Sequence, residues 1–160
     1  MTEDRSRGEQ ILQRTTLFQG LDNDEIASIL MVGEVKTYSA GAVIFVEGAR
    51  PDCFYVIYDG QVRISKVVEG MGEEALAILN AGEFFGEMAL IEQQCLRSAH
   101  AIAHTDIRLM EVPIPAMLEL LENDKSLAYK FLWNFCRTLS RRLRETSGKI
   151  SSLFFLSMHS

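Results

Sequence analysis

The spacing of apolar residues divides the chain into a helical start, a β-rich middle and a helical end. Over the first 32 residues the apolar positions recur every three or four residues, as they do on one face of a helix. Asp22, with Glu25 three residues later, predicts the capped start of a second helix, because each side chain can accept a backbone N–H of that terminus. The apolar set of the first helical segment is Ile11, Leu12, Leu17, Phe18 and Leu21.

Between Gly33 and Pro113 the apolar residues form short runs that predict β-strands. The runs are five to eight residues long and are separated by glycine-containing turns. No segment between them is long enough to be a helical crossover, so an antiparallel sandwich, roll or barrel is expected. The fold class is therefore mainly β with flanking helices (α+β): an antiparallel β-roll or jelly roll with N-terminal helices and a long C-terminal helix. Four of the runs are 42–46, 53–58, 61–68 and 75–79.

After Pro115 the helical period returns, and a long helix is predicted to begin near Asn123 and Asp124, either of which can cap it. Its apolar positions advance by four and three residues in turn, which is the heptad spacing of a coiled coil. A second copy of the helix would bury this seam, so a symmetric homodimer is expected. The alternative is a helix that folds back on its own domain. The seam residues are Leu132, Cys136, Leu139, Leu143, Thr146, Ile150 and Leu153.

Composition bounds the chain to one structural domain with an acidic body and a basic tail. The 160 residues carry a formal net charge of −6, which is unevenly spread. Residues 1–122 hold nine basic and 20 acidic side chains, whereas residues 123–160 hold seven basic and two acidic ones. We therefore assign 1–122 to a helical lead-in plus the β-roll, and 123–160 to a lid or dimerisation helix and tail.

The sequence predicts a cytoplasmic protein without disulfides. Its start is charged where a signal peptide would be apolar, and no apolar run approaches the length of a membrane span. The cysteines are odd in number and widely separated, a pattern that fits neither a disulfide framework nor a metal knuckle. They are Cys53, Cys95 and Cys136.

Candidate catalytic groups are scarce. No nucleophile elbow, phosphate-binding P-loop or dinucleotide fingerprint is present. The three histidines are His100, His104 and His159, and the first two are expected on the solvated face of a strand. An enzyme is not expected, and a β-barrel metalloenzyme is a distant alternative.

The segment from Gly82 to Ala99 suits a sugar phosphate. Gly86 lets a ligand approach the backbone just before a short predicted helix, whose first N–H groups favour an anion. Arg97, opening a predicted strand over 98–102, can return to this turn and bind a phosphate through two N–H groups. Glu87 can accept hydrogen bonds from a sugar hydroxyl. The alternative is a surface turn with an incidental Glu–Arg pair.

These residues resemble a known motif. The stretch 85–90 together with 97–99 is similar to the phosphate-binding cassette of cyclic nucleotide-binding domains, a family that includes bacterial catabolite activators and regulatory subunits of cAMP-dependent protein kinase. The resemblance implies that Arg97 pairs with the cyclic phosphate, that Glu87 accepts from the ribose 2′-OH, and that Leu79 lines the pocket. The cassette residues implied to bind ligand are Phe85, Gly86, Glu87, Met88, Ala89, Arg97, Ser98 and Ala99.

A second stretch, 141–149, resembles the dimer helix of the bacterial members. By that likeness Thr146 bonds the base in its own subunit, Ser147 reaches the partner's pocket and Arg142 lies near the phosphate side. Thr146 also lies on the heptad seam, where a polar residue can fix the register of a coiled coil. Both roles are compatible.

The resemblance implies a cyclic nucleotide ligand, cAMP with cGMP as the alternative, and no covalent cofactor. Relatives with the same fold that sense haem or a redox signal, or that serve as structural dimers, are a further alternative. Bacterial activators continue into a winged helix after this point and the chain ends at Ser160, so no direct DNA binding is expected. The apolar run Phe154, Phe155 and Leu156 is expected to contact the dimer partner or another protein.

Overall fold

The computed structural model describes the backbone of residues 2–92 and 94–158, and the side chains of residues 6–92, 94–152, 154, 155, 157 and 158. The predictions made for the side chains of Leu153 and Leu156, and for His159, lie outside these described residues.

Within residues 2–32, as described by the structure, two α-helices precede the sheet, as the apolar spacing predicted. They are α1 (Thr2–Arg14) and α2 (Asn23–Val32), separated by a short 3-10 helix at Thr16–Phe18. Asp22 and Glu25 form the predicted capping box: Glu25 N donates to Asp22 Oδ1 at 2.9 Å, and Asp22 N donates to Glu25 Oε2 at 2.8 Å.

In the part of the chain that the structure describes, eight strands build two four-stranded sheets, and every pairing is antiparallel. The order is β1-β8-β3-β6 in one sheet and β2-β7-β4-β5 in the other. The predicted mainly-β roll with flanking helices is confirmed. The strands are β1 (Glu34–Tyr38), β2 (Val43–Phe45), β3 (Cys53–Asp59), β4 (Val62–Val68), β5 (Gly72–Leu79), β6 (Phe84–Phe85), β7 (His100–Ala103) and β8 (Ile107–Pro113).

The apolar core has two parts. One lies between the helices and the first sheet, where the ring of Phe18 is 6.5 Å from that of Phe54 and 6.1 Å from that of Phe131. The other fills the inside of the roll, around Ile57 and Leu109. The first part fixes the helices against the roll, and the second sets the inner wall of the site described below.

The chain ends in α3 (Ile114–Asn123) and α4 (Lys125–Met158). Asp124 caps α4, since its Oδ1 accepts the N–H of Leu127 at 3.0 Å. The first turns of α4 pack on the body through buried side chains. Glu25 adds a polar anchor, because its carboxylate accepts from Ser126 Oγ and from Lys130 Nζ, each at 2.8 Å. The buried side chains of these turns are Leu127, Phe131, Asn134, Phe135 and Thr138.

Most of the described residues of the heptad seam are exposed on α4. Leu143 is 70% exposed and Ile150 is 50% exposed, whereas Leu139 is half-buried against the helical core. From residue 143 onward every described side chain is exposed. Among the described helices, none combines the length and apolarity needed to span a bilayer.

Two local predictions were wrong in detail. The strand expected to start at Ser98 starts at His100, because Arg97 N and O bond the β2–β3 connection at Ala49 and Gly48 instead of a neighbouring strand. His100 and His104 do not share a strand face: His104 lies just past the end of β7, and the Nδ1 atom of His100 accepts the N–H of Glu47 at 3.2 Å.

Candidate functional site

A cavity of roughly 1220 Å³ opens between the inside of the roll, the segment 81–89, the segment 95–99 and helices α1 and α4. It brings together predicted ligand-binding residues of the β-roll and of α4. Only Ser147 among them does not line it; that side chain is exposed on α4. The predicted residues that line the cavity are Leu79, Phe85, Gly86, Glu87, Met88, Ala89, Arg97, Ser98, Ala99, Arg142 and Thr146.

Gly86 forms the sharp turn at the centre of the site. Its φ is +76°, in the left-handed region that a side chain disfavours. A Cβ built on Gly86 would also lie 2.7 Å from Nη1 of Arg97. Glycine is therefore required here for backbone conformation and for the close approach of the arginine.

The predicted helix after Gly86 is a single 3-10 turn, Glu87–Leu90, four residues long. The chain has to turn back at once to deliver Arg97 to the same place, which leaves no length for an α-helix. The dipole of so short a turn is small. An anion bound at this turn would therefore interact mainly with the arginine and with local N–H groups.

Arg97 is a buried cation, 6% exposed. Its Nη1 donates to the carbonyl of Gly86 at 3.3 Å and its Nη2 donates to the carbonyl of Cys53 at 2.5 Å. Among the described side chains, the nearest carboxylate is that of Asp52, with Oδ1 3.6 Å from Nη2, and this side chain is 84% exposed. A buried guanidinium with one distant, solvated counterion leaves a strong preference for an additional anion.

Aromatic rings hold the guanidinium in place. Its Cζ atom lies 4.2 Å from the ring centroid of Phe45 and 5.5 Å from that of Tyr55. Tyr55 in turn stacks on Phe85, with centroids 4.8 Å apart and planes 12° from parallel. Sequence reasoning named Phe85 but missed Phe45 and Tyr55, whose alternation in β2 and β3 only indicated that they are core residues.

Burial controls the ionisable groups beside Arg97. Burial raises the pKa of the Tyr55 hydroxyl, although the charge of Arg97 acts against this. Burial also raises the pKa of the Cys53 thiol to about 11, assisted by the charges of Asp52 and Glu111. Both groups are therefore protonated at neutral pH and provide no anion for Arg97.

Glu87 is the second buried charge of the site, 3% exposed. It forms an ion pair with Arg142, whose Cζ lies 5.1 Å from the ring centroid of Phe84. Arg142 was predicted near the phosphate side; in the structure it lies on the carboxylate predicted to bind the sugar. This pair ties α4 to the turn at Gly86.

Further along α4, Thr146 lines the cavity, and its Oγ1 donates to the carbonyl of Arg142 at 2.9 Å. Arg141, Glu145 and Lys149 also line it, and α1 supplies the opposite wall through Gln10 and Arg14 among others. Gln10 and Arg14 carried no motif signal, because α1 and α4 are brought together only by the tertiary fold.

Comparison with known proteins gives consistent similarities. The profile of the cyclic nucleotide-binding domain matches residues 35–124. The cyclic AMP receptor protein of Thermus thermophilus is 32% identical over 144 residues, covering 90% of this chain and 64% of that protein. The crystal structure of the T. thermophilus catabolite activator protein has a TM-score of 0.76 at 32% identity, covering 88% of this chain and 64% of that chain.

Another similar protein is named for cGMP, whereas the Thermus receptor is named for cyclic AMP. The cGMP-dependent protein kinase egl-4 of Caenorhabditis elegans is 37% identical over 93 residues, which cover 58% of this chain and 12% of the kinase. The chain thus spans a little under two-thirds of the length of the Thermus receptor and a small part of the kinase.

Proposed function

The chain belongs to the cyclic nucleotide-binding domain family, and from that premise we propose that it is a cAMP sensor that transmits occupancy of its cavity through α4. Binding is reversible and involves no bond-making step. In this proposal Arg97 holds the cyclic phosphate, Glu87 accepts the ribose 2′-OH, and the inner wall around Leu79 and Phe85 covers the sugar.

The observation that carries the proposal is the pair of buried charges on either side of Gly86. The Arg97 guanidinium has no carboxylate within 3.5 Å among the described residues, its nearest being that of Asp52 at 3.6 Å. The Glu87 carboxylate lies on the same turn and lines the same cavity. A cation for a phosphate and an acceptor for a hydroxyl, held at the same turn, match the two polar groups of a ribose cyclic phosphate.

The ion pair between Glu87 and Arg142 supports a role for α4 as a lid. A ribose hydroxyl that bonds Glu87 has to share this carboxylate with Arg142 or displace it. Ligand binding and the position of α4 are then linked, and the ligand shifts α4 by as much as its affinities for the two arrangements differ.

Dimerisation through α4 is the second part of the proposal. Most of the described seam residues are exposed, so burial by a second copy competes little with packing on the body, although Leu139 also contacts the helical core. Exposed Ser147, which does not line its own cavity, is then free to face the partner's. Exposed Phe154 and Phe155 extend the apolar surface towards the end of the helix.

The base preference rests on two hydroxyls. Thr146 on α4 suits the adenine side of the cavity, and we place cAMP first for this reason. Ser98, directly after Arg97, also lines the cavity and can serve a guanine amino group, which keeps cGMP as the alternative. Haem has less support, since no histidine lines the cavity among the described residues.

Isothermal titration calorimetry of the purified chain with cAMP and cGMP tests the proposal. Arg97→Ala is expected to cost about 2–5 kcal/mol of binding free energy, which is a loss of at least about 30-fold in Kd. Arg97→Lys keeps the positive charge but lacks the planar guanidinium, so its affinity is expected to lie between that of the parent and that of Arg97→Ala. Arg144→Ala, which removes an exposed cation outside the cavity, is the matched control and should bind as the parent does. Equal binding by the parent and Arg97→Ala would refute the assignment.

A further inference from the structure

The cavity is larger than a cyclic mononucleotide needs. Its volume of roughly 1220 Å³ exceeds the span of about 300–1,000 Å³ that is usual for small-molecule sites. The lining also includes residues of α1 and of the part of α4 that follows Arg142, which form an extension of the site. The shape of this extension and its charges both bear on the ligand.

Helix α1 forms a fixed wall of the extension. Leu12 is fully buried, and Arg7 Nη2 forms an ion pair with Asp59 Oδ2 at 3.1 Å. Gly8 allows close packing on β3, because a Cβ there would lie 2.7 Å from the hydroxyl oxygen of Tyr58. These three contacts orient the face of α1 that carries Gln10 and Arg14 towards the cavity.

The end of α1 lies beside the middle of α4. Asn134 Nδ2 donates to the carbonyls of Leu17 and Gln19, just after α1, at 3.2 and 2.7 Å. Arg141 follows Asn134 by two helical turns on the same face, roughly 10 Å along the axis. Arg14 and Arg141 therefore approach the extension from facing helices, and Lys149 lies a further two turns along α4.

The cations of the extension are poorly neutralised. Six Lys or Arg side chains and four Asp or Glu side chains line the whole cavity. Arg7 and Arg142 have close carboxylate partners, and Arg97 serves the cassette. Arg141 has Glu145 as its carboxylate partner, at 4.0 Å between exposed side chains. No ion pair of Arg14 or Lys149 occurs among the side chains that the structure describes, those of 6–92, 94–152, 154, 155, 157 and 158. Three cations thus face one space with one weak pair among them.

Resting on the proposed function of the same cavity, we propose that Arg14, Arg141 and Lys149 form a second anion subsite, which binds the second phosphoryl group of a dinucleotide-type ligand. A cyclic dinucleotide has the required chemistry: one phosphodiester for Arg97 and another, a nucleoside away, for the α1–α4 subsite. The first phosphate would bind the buried guanidinium of Arg97, and the second would bind the solvent-exposed cations of the α1–α4 subsite.

Competition and calorimetry with the full chain test this inference. Cyclic di-AMP is expected to displace a fluorescent cAMP analogue, and its affinity is expected to fall about tenfold in an Arg14→Gln, Lys149→Gln double variant. The affinity for cAMP itself should change less than about twofold, since cAMP has no second phosphate. Cyclic di-AMP binding should also weaken more steeply with added KCl than cAMP binding does, because more charge is neutralised. A double variant, Lys125→Gln with Arg144→Gln, removes the same number of charges outside the cavity and is the control.

The outcomes separate this inference from the proposed function. Failure of cyclic di-AMP to displace the analogue, with cAMP still bound, overturns the second subsite and leaves the sensor intact. An unchanged ratio of the two affinities in the double variant also overturns it, as does cyclic di-AMP binding that survives Arg97→Ala. If neither cAMP nor cGMP nor cyclic di-AMP binds the parent chain, the proposed function fails as well.

Discussion

Asp52 is the carboxylate nearest to the guanidinium of Arg97, at 3.6 Å, yet the aspartate is exposed and the arginine is buried. This ion pair therefore joins a buried cation to a solvent-exposed anion, and water weakens it on the aspartate side. A phosphate that binds Arg97 competes with this aspartate and with the carbonyls of Gly86 and Cys53.

Replacement of that competitor should strengthen ligand binding. Asp52→Asn keeps the side-chain oxygen that accepts the N–H of Cys53 but removes the negative charge. The Kd for cAMP is expected to fall by about twofold to fivefold, the range for a partly solvated ion pair. Calorimetry at low and high salt measures it, with Glu119→Gln on α3 as the control. A weaker affinity in Asp52→Asn would mean that the aspartate positions Arg97 and does not compete.

The role assigned to Glu87 can be isolated with a modified ligand. Glu87→Gln is expected to weaken cAMP binding about tenfold, because a charged acceptor for the 2′-OH is lost. Its effect on 2′-deoxy-cAMP should be much smaller, since that ligand lacks the hydroxyl. Equal losses for both ligands, measured by competition, would show that Glu87 acts through Arg142 and not on the sugar.

Two glycines give opposite predictions for stability. Gly86→Ala is expected to reduce the free energy of unfolding by about 1–3 kcal/mol, because its φ is +76° and the new methyl group meets Arg97. Gly148→Ala is the matched control: this helical glycine has open space around its Cβ, and the change should add up to about 1 kcal/mol. Urea unfolding measures both. A neutral Gly86→Ala would contradict the turn geometry.

Acid should destabilise the chain partly through Glu25. Burial acts to raise the pKa of Glu25, but hydrogen bonds from Lys130, from the Asp22 N–H and from Ser126 outweigh it and hold the pKa below its ordinary value. A carboxylate with a lowered pKa in the folded state contributes stability above its unfolded pKa, and loses it as the pH falls through the folded pKa. At pH 7 the free energy of unfolding of Glu25→Gln is expected to be about 1–3 kcal/mol lower than that of the parent. Urea unfolding at a series of pH values should then show that this free energy decreases less towards acid pH in Glu25→Gln than in the parent. If the free energies of unfolding of both proteins depended on pH in the same way, Glu25 would not contribute to the acid destabilisation.

Association through the seam is tested by charge. Leu143→Glu with Ile150→Glu places carboxylates on the exposed apolar face of α4 without touching the buried contacts of its first turns. Sedimentation is expected to show a dimer for the parent and a monomer for this variant. Arg144→Glu, between the two positions but outside the seam, should remain dimeric. A monomeric parent at micromolar concentration would contradict the dimer.

The sequence contained enough information for the roll and for the central turn of the site. Glycine turns between short apolar runs predicted the antiparallel strands, and Gly86, Glu87 and Arg97 were found because their chemistry is local. Phe45 and Asp52 were missed, since they reach Arg97 from residues about 50 positions earlier through sheet pairing. Arg142 was placed by resemblance near the phosphate, but its contact depends on where α4 crosses the roll. That crossing is set by tertiary contacts such as Glu25 with Lys130, which no single stretch of sequence reveals.

The carboxylate of Glu25 closes the capping box of α2 and also binds Ser126 and Lys130 at the start of α4. One side chain thus belongs to two helices about 100 positions apart in the chain. In a chimera in which α4 of this protein is joined to the roll of another protein, Ser126 and Lys130 would have no Glu25 carboxylate to bind. In the reverse chimera, with a foreign α4 on this roll, Glu25 would lose both of these donors. Helices α2 and α4 therefore have to be exchanged together. A recombination boundary at residue 124 would separate Glu25 from the two side chains that donate to it.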